Sequence, residues 1–175
     1  SIPDTAKVLS RYVDGLVIRC YNHEKMLELS SSSSIPVING LTDLTHPCQV
    51  MADIFTIQEH FGSIENKNII WIGDGNNVAT SWVEAASLFG FQLRMACPHG
   101  CAPPVELLAW ARENGGDIIL TEDVTEAVDQ VQTVVTDVWV SMGHEGGNQQ
   151  QDLAAYQVNE DVMKRAAGDA IFMHC

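Results

Sequence analysis

The chain has 175 residues, 46% of them hydrophobic and 18% charged, enough for one full core or slightly more, with no long like-charge run to suggest disorder. A net charge of -14 with only 9 Lys and Arg argues against a nucleic-acid or anionic-membrane partner, because phosphate contacts need clustered cations; a small anionic substrate needs only a few. Apolar runs fall far short of the roughly 20 residues that span a bilayer, and Ser1-Ile2-Pro3-Asp4 shows neither the basic start nor the apolar middle of a signal peptide.

Residues 1–15 read as a helix, with Val8, Leu9 and Tyr12 on one face and Pro3 suited to a first turn. Leu16–Tyr21 is a short β-rich run, hence a strand ending near Arg19. His23–Leu29 is helical, Ser30–Ser34 reads as a surface loop, and Ile35–Asn39 is a strand. Val50, Ile54, Ile57 and Phe61 recur at spacings of three and four, giving a long amphipathic helix over Pro47–Phe61 with Gly62 as its C-cap. A clear alternation follows: strands at Asn68–Ile72, Gln92–Ala96, Asp117–Leu120 and Thr133–Trp139, and helices at Val78–Phe89, Pro104–Glu113 and Val124–Val131. Such alternation predicts an α/β fold with a parallel sheet covered on both faces. Ligands of these sheets sit beyond the carboxyl ends of the strands, which puts Asp74-Gly75-Asn76-Asn77 and Ser141-Met142-Gly143 in one crevice.

Each candidate motif has a plain reading beside its chemical one. Gly73-Asp74-Gly75-Asn76-Asn77 invites a dinucleotide reading, but Val78 stands where the third glycine belongs and no acidic partner is evident about 20 residues on. The other reading is a tight turn whose Asn76 and Asn77 amides, with a helix N-terminus behind them, suit a carboxylate or an amino acid. Asp137 and Ser141, at a strand end, can hold an ammonium group, or can be a solvated turn. His46 and Gln49 open the long helix with Pro47 at its first position; they can bind a carbonyl or simply cap. Arg19 is the nearest cation, and its fork fits carbonyl and phosphate oxygens.

The five cysteines, 20, 48, 97, 101 and 175, are an odd number without a disulfide spacing. They point inside the cell, to the cytoplasm or, in a eukaryote, the mitochondrial matrix. Cys97-Pro98-His99-Gly100-Cys101 resembles a metal knuckle, but a zinc site wants a second ligand pair and only His174 and Cys175 offer one; the alternative is that Cys97 ends a buried strand. Cys175 reads as a buried thiol unless its pKa is depressed.

Taken together, His46-Pro47-Cys48-Gln49, Asp137-Val138-Trp139-Val140-Ser141-Met142-Gly143 and His174-Cys175 resemble the signature of the ornithine carbamoyltransferases, in the aspartate/ornithine superfamily, and the resemblance covers the whole chain. It implies two parallel-sheet units: a partial carbamoyl-phosphate domain (1–46) and a Rossmann-like ornithine domain (63–175), linked by a helix over 47–62. It implies that Arg19, His46 and Gln49 hold the carbamoyl group, with Arg19 and His46 stabilising an oxyanion. Asn77, assisted by Asn76, would bind the carboxylate end of ornithine. Asp137, Ser141 and Met142 would grip its amino-acid end, and Cys175 would lie beside the reacting amine. The substrates would be carbamoyl phosphate and L-ornithine, with no metal or organic cofactor, in a homotrimer. The family's Ser-x-Arg-Thr-Arg phosphate loop would lie before residue 1 and its Leu-Pro after Cys175, so the chain is expected to be an internal stretch, inactive by itself. A carbamoyltransferase with another amine acceptor, or a purely structural subdomain, are the rival readings.

Overall fold

The computed structural model describes residues 1–139 and 153–175, and they form two parallel sheets with a long helix between them in sequence. The first unit runs α1 (Ile2–Leu9), β1 (Leu16–Arg19), α2 (His23–Ser32) and β2 (Val37–Leu41), with β1 and β2 paired in parallel. Helix α3 (Pro47–Phe61) follows. The second unit runs β3 (Asn68–Ile72), α4 (Asn77–Phe89), β4 (Gln92–Ala96), α5 (Val105–Glu113), β5 (Asp117–Thr121), α6 (Val124–Ala127), β6 (Thr133–Thr136), α7 (Glu160–Met163) and β7 (Ile171–His174). Its five strands are all parallel, in the order β5-β4-β3-β6-β7. The expected α/β architecture with two parallel-sheet units is therefore present.

Strand β3 is the centre of the larger sheet. Ile69, Ile70, Trp71 and Ile72 are wholly buried, as a strand covered on both faces requires. Alternation divides them: Ile69 and Trp71 join the side chains of α3, α4 and α5, whereas Ile70 and Ile72 join those of α6, β6 and Ala166. From β3 the chain winds outward through β4 and β5, then returns to lay β6 on the other side of β3. The strand order reverses between β3 and β6, and a crevice opens at their carboxyl ends. The loops after β3 and β6 carry Asn76, Asn77 and Asp137 to this place.

Gly75 explains the glycine-rich turn. A Cβ there would lie 2.5 Å from both the Cys101 carbonyl oxygen and the Pro103 nitrogen, and the Gly75 N–H donates to the Cys101 carbonyl at 2.6 Å. The side-chain-free position is used by the chain's own 101–103 loop. At the end of α3, Gly62 takes φ +81°, the C-cap expected of it.

Several boundaries differ from the sequence reading. α1 stops at Leu9, not residue 15; Ser10 turns its hydroxyl back to the Ala6 carbonyl at 2.7 Å. The serine run is not a loop throughout: α2 extends to Ser32, with Ser31 bonded to the Glu28 carbonyl at 3.0 Å and Ser33 as C-cap. β2 begins at Val37 because Pro36 has no N–H to enter the ladder; its carbonyl still accepts from the Leu16 N–H at 2.9 Å. β6 ends at Thr136, before Asp137 turns to bind its neighbours, and α6 is a single turn. Strand β7 was not anticipated; it pairs Thr133–Thr136 with Ile171–His174 and brings Cys175 beside the crevice.

Candidate active site

A cleft of about 960 Å³ lies between the two units. One wall carries Arg19 and His46, at the ends of β1 and the start of α3. The other carries Asn76, Asn77, Asp137 and Cys175, at the carboxyl ends of β3, β6 and β7. So six of the expected site residues meet in one space, across about 155 residues of sequence. Ser141 and Met142 lie outside the described residues.

His46 is the N-cap of α3. Its Nδ1 accepts from the Gln49 backbone N–H at 3.4 Å, so a neutral ring carries its proton on Nε2. Burial, then the Arg19 charge, push the imidazole below its ordinary pKa, against an opposing pull from Asp137; it is neutral at pH 7. Its backbone N–H donates to Ser81 Oγ at 2.9 Å. Arg19 is exposed, and its guanidinium has no hydrogen bond or ion pair among the described residues, so its fork is open to a ligand.

Asn76 is the N-cap of α4, its Oδ1 accepting from Val78 and Ala79 N–H at 2.9 and 3.1 Å. Its Nδ2 donates to Asp137 Oδ2 at 2.7 Å, while Asp137 Oδ1 accepts from the Val138 N–H at 2.7 Å. The carboxylate is thus fixed from two sides. Asn77 uses its Nδ2 differently, donating to the Thr42 carbonyl at 2.7 Å. With the Ser81 bond to His46, one face of α4 holds the 42–46 segment that presents His46. Cys175 is half-buried; burial, then Asp137 and Asp53, push its thiol up to about 11 against Arg19, so it is a thiol at neutral pH. Buried Cys97 is pushed to about 12 and follows β4 as a thiol. Among the described residues no three His, Cys, Asp or Glu side chains gather to hold a metal.

Gln49 does not line the cleft. It is half-buried, and its Nε2 donates to Asp53 Oδ1 at 3.0 Å. Asp53 escaped the sequence reading, as did Ser81. The signal was there: Asp53 lies three residues after Val50 and four before Ile57, on the face assigned to the core. It is 6% exposed, and burial raises its carboxyl to about 6, against the Gln49 bond that lowers it. A folded value above the unfolded one means that folding favours the protonated form. That stabilisation is full below about pH 4 and is lost as pH rises through 6. Two units at roughly 1.4 kcal/mol each, reduced by the water that reaches the carboxyl, make a cost of about 1–2 kcal/mol at pH 8. Asp53→Asn should therefore raise the Tm at pH 8 by roughly 3–6 °C and leave it unchanged at pH 4. Equal gains at both pH values, in thermal unfolding followed by circular dichroism, would rule out the charge as the cause.

The chain is similar to known proteins over its whole length. Residues 1–59 match the family description "Aspartate/ornithine carbamoyltransferase, carbamoyl-P binding domain", and residues 65–175 match its "Asp/Orn binding domain". The chain is 52% identical over 176 aligned positions to the ornithine carbamoyltransferase of Agrobacterium fabrum, covering all of this chain and 58% of that protein. Against Rhizobium meliloti's the identity is 49%, with the same coverage. Among solved structures, the ornithine carbamoyltransferase of Pyrococcus furiosus superimposes with a TM-score of 0.92 at 41% identity, over the whole of this chain and 58% of that one. The anabolic enzyme of Campylobacter jejuni gives 0.93 at 36%, over 100% and 60%. The chain thus spans a little under three fifths of the length of these relatives. With both of its units matched in order, and with the same fold at this level of identity, the chain belongs to the aspartate/ornithine carbamoyltransferase family.

Proposed function

We propose that the full-length protein containing this chain transfers the carbamoyl group of carbamoyl phosphate to the δ-amine of L-ornithine, giving L-citrulline and phosphate. The observation that carries this is the pairing of unlike walls across one cleft: a cation and a neutral imidazole on one side, a fixed carboxylate and two asparagines on the other. Residues 1–46 serve the carbamoyl-phosphate side, residues 63–175 the ornithine side, and 47–62 link them.

In this reading the neutral δ-amine attacks the carbamoyl carbon. A C–N bond forms, and the carbonyl electrons move to oxygen. The Arg19 guanidinium and the His46 Nε2–H donate to that oxyanion, which exists only along the reaction path, so their contribution falls on turnover. Collapse breaks the C–O bond to phosphate, and the departing phosphate takes the extra proton of the nitrogen. Gln49 stands behind His46, outside the lining, and its Oε1 is the end left to accept from the carbamoyl amide. Asp137, already locked by Asn76, takes the ammonium of ornithine, Asn76 and Asn77 face its carboxylate, and Ser141 and Met142 complete that grip. Cys175 sits beside the reacting amine as a thiol, and so does not act as a thiolate base in this state. Holding both substrates in line accounts for much of the remaining rate.

The primary test is citrulline formation by the chain extended to the full length of its relatives, with ornithine, aspartate and putrescine offered as acceptors. Ornithine is the acceptor expected; a higher rate with either other amine would reassign the specificity. Within the ornithine reading, Asp137→Ala should raise the ornithine KM roughly 10- to 100-fold, the worth of one charge-assisted contact at about 1.5–3 kcal/mol. The carbamoyl phosphate KM should move far less, and equal changes in both constants would remove Asp137 from the ornithine site. We also propose a homotrimer in a reducing compartment, the cytoplasm or the mitochondrial matrix, in keeping with five free cysteines. Light scattering of the full-length protein reads the trimer directly.

A further inference from the structure

Helix α3 buries a carboxylate that its packing does not need. Asp53 shares its face with Val50, Ile54 and Ile57, all 2% exposed or less, and no Lys, Arg or His ion pair reaches it among the described residues. A buried carboxylate without an ion partner costs stability, and beside a cleft such a group is a candidate for function. Its one hydrogen bond among the described residues is the 3.0 Å contact from Gln49 Nε2, one helical turn earlier. An ionised carboxylate only accepts, so it takes the NH₂ end of the Gln49 amide and leaves Oε1 as the unused end. Gln49 Oε1 takes no hydrogen bond from the described residues. The Gln49 backbone N–H also donates to His46 Nδ1 at 3.4 Å, and His46 lines the cleft, so the pair stands directly behind the lining.

We propose that Asp53 is a positioning residue: it fixes the Gln49 amide with Oε1 as an acceptor for the N–H of the transferred group. This rests on the carbamoyl reading and deepens it. A carbamoyl group differs from an acetyl group of the same shape by an NH₂ in place of CH₃. An acceptor held toward that NH₂ favours the first, and a donor NH₂ turned toward it repels it. An unheld glutamine amide flips between the two faces and discriminates poorly. A locked amide therefore makes the site selective for carbamoyl phosphate over acetyl phosphate. The raised Asp53 carboxyl records what burying this group costs.

The lock is tested without catalysis on the chain extended to the full length of its relatives. In its ¹⁵N spectrum the Gln49 side-chain NH₂ pair should stand away from the solvent-exposed glutamines. In Asp53→Leu, which fills the same buried space, the pair should move to the exposed position while the backbone amide pattern is retained. A Gln49 pair unmoved in Asp53→Leu would overturn the proposal. The consequence is tested in the chain extended to the full length of its relatives, by measuring Kd for carbamoyl phosphate and acetyl phosphate by calorimetry. Asp53→Leu should reduce the preference for carbamoyl phosphate at least 10-fold. Asp53→Asn, which keeps a carbonyl acceptor for Gln49 Nε2, should restore most of it. Equal losses in the two variants, or an unchanged preference in Asp53→Leu, would sink the positioning role. Failure of the wild-type extended chain to make citrulline would overturn the proposed reaction instead, because the lock and the binding preference are read without turnover.

Discussion

Replacing His46 by alanine, in the chain extended to the full length of its relatives, should lower kcat roughly 10²- to 10³-fold and change the KM for carbamoyl phosphate only a few-fold. The ring is held by its own helix: Nδ1 accepts the Gln49 N–H, and the backbone N–H is anchored to buried Ser81. That leaves Nε2–H as the one free polar atom of a neutral imidazole. Burial and Arg19 keep the ring neutral, so no second positive charge has to be desolvated beside the guanidinium. A preset donor toward a developing oxyanion costs nothing to reorganise as charge appears, which is why its loss falls on turnover. The same substitution also removes an N-cap, at about 1 kcal/mol of stability, and that effect must be separated. His46→Asn keeps a capping oxygen, so it should recover the stability lost in His46→Ala but not the rate. Turnover within a few-fold of wild type in either variant would take His46 out of the chemistry.

What the sequence makes legible here follows from how locally each feature is encoded. The buried strand Asn68–Ile72 and the stripe of α3 carry their pattern within a few residues, and both lie where expected. The serine run misleads because its hydroxyls can bond helix carbonyls as readily as they can form a loop; only the α1 contact through Ser10 and Ser33 at 3.1 Å decides the matter. β7 is four residues long, too short for its alternation to stand out, and it becomes a strand because β6 offers an edge. The cleft was foreseeable as a crevice at strand ends, since Asn76 and Asp137 follow strands that flank the reversal of strand order. Commitments made through space were not. Asn77 spends its amide on Thr42 and Gln49 spends its own on Asp53, and neither partner is marked by any motif. Asp53 illustrates the limit: its spacing from Val50 and Ile57 puts it on the core face of the helix, but nothing in that pattern says that a carboxylate stays buried there or takes the Gln49 amide.

The 175-residue chain by itself should form citrulline at a rate on the order of 10³-fold or more below that of the extended chain at equal substrate concentrations. Carbamoyl phosphate brings a doubly charged phosphate group. Among the described lining residues Arg19 is the only Lys or Arg, while Asp43, Asp74 and Asp137 face the same space. His46 is neutral, and residues 140–152 contain no Lys or Arg. The cleft is therefore net negative, and a dianion entering it meets repulsion before it meets a donor. Two or three charge-assisted phosphate contacts, worth about 1.5–3 kcal/mol each, have to come from elsewhere. Arg19 cannot supply both ends, since a fork committed to the carbamoyl oxygen leaves the phosphate uncompensated. The first unit adds a second handicap. Among the described residues its sheet has two strands only, which is marginal in water, and the paired Val17 and Ile38 stand 69% and 50% exposed on one face of it, an apolar patch suited to aggregation. Both effects act in the same direction, but they separate experimentally. If only phosphate donors are lacking, the soluble monomeric fraction still binds ornithine with a Kd near that of the extended chain; if the first unit is also unstable, protease digestion cuts residues 1–46 before 63–139. Comparable citrulline rates from the two proteins would refute the charge argument and require phosphate donors within these 175 residues.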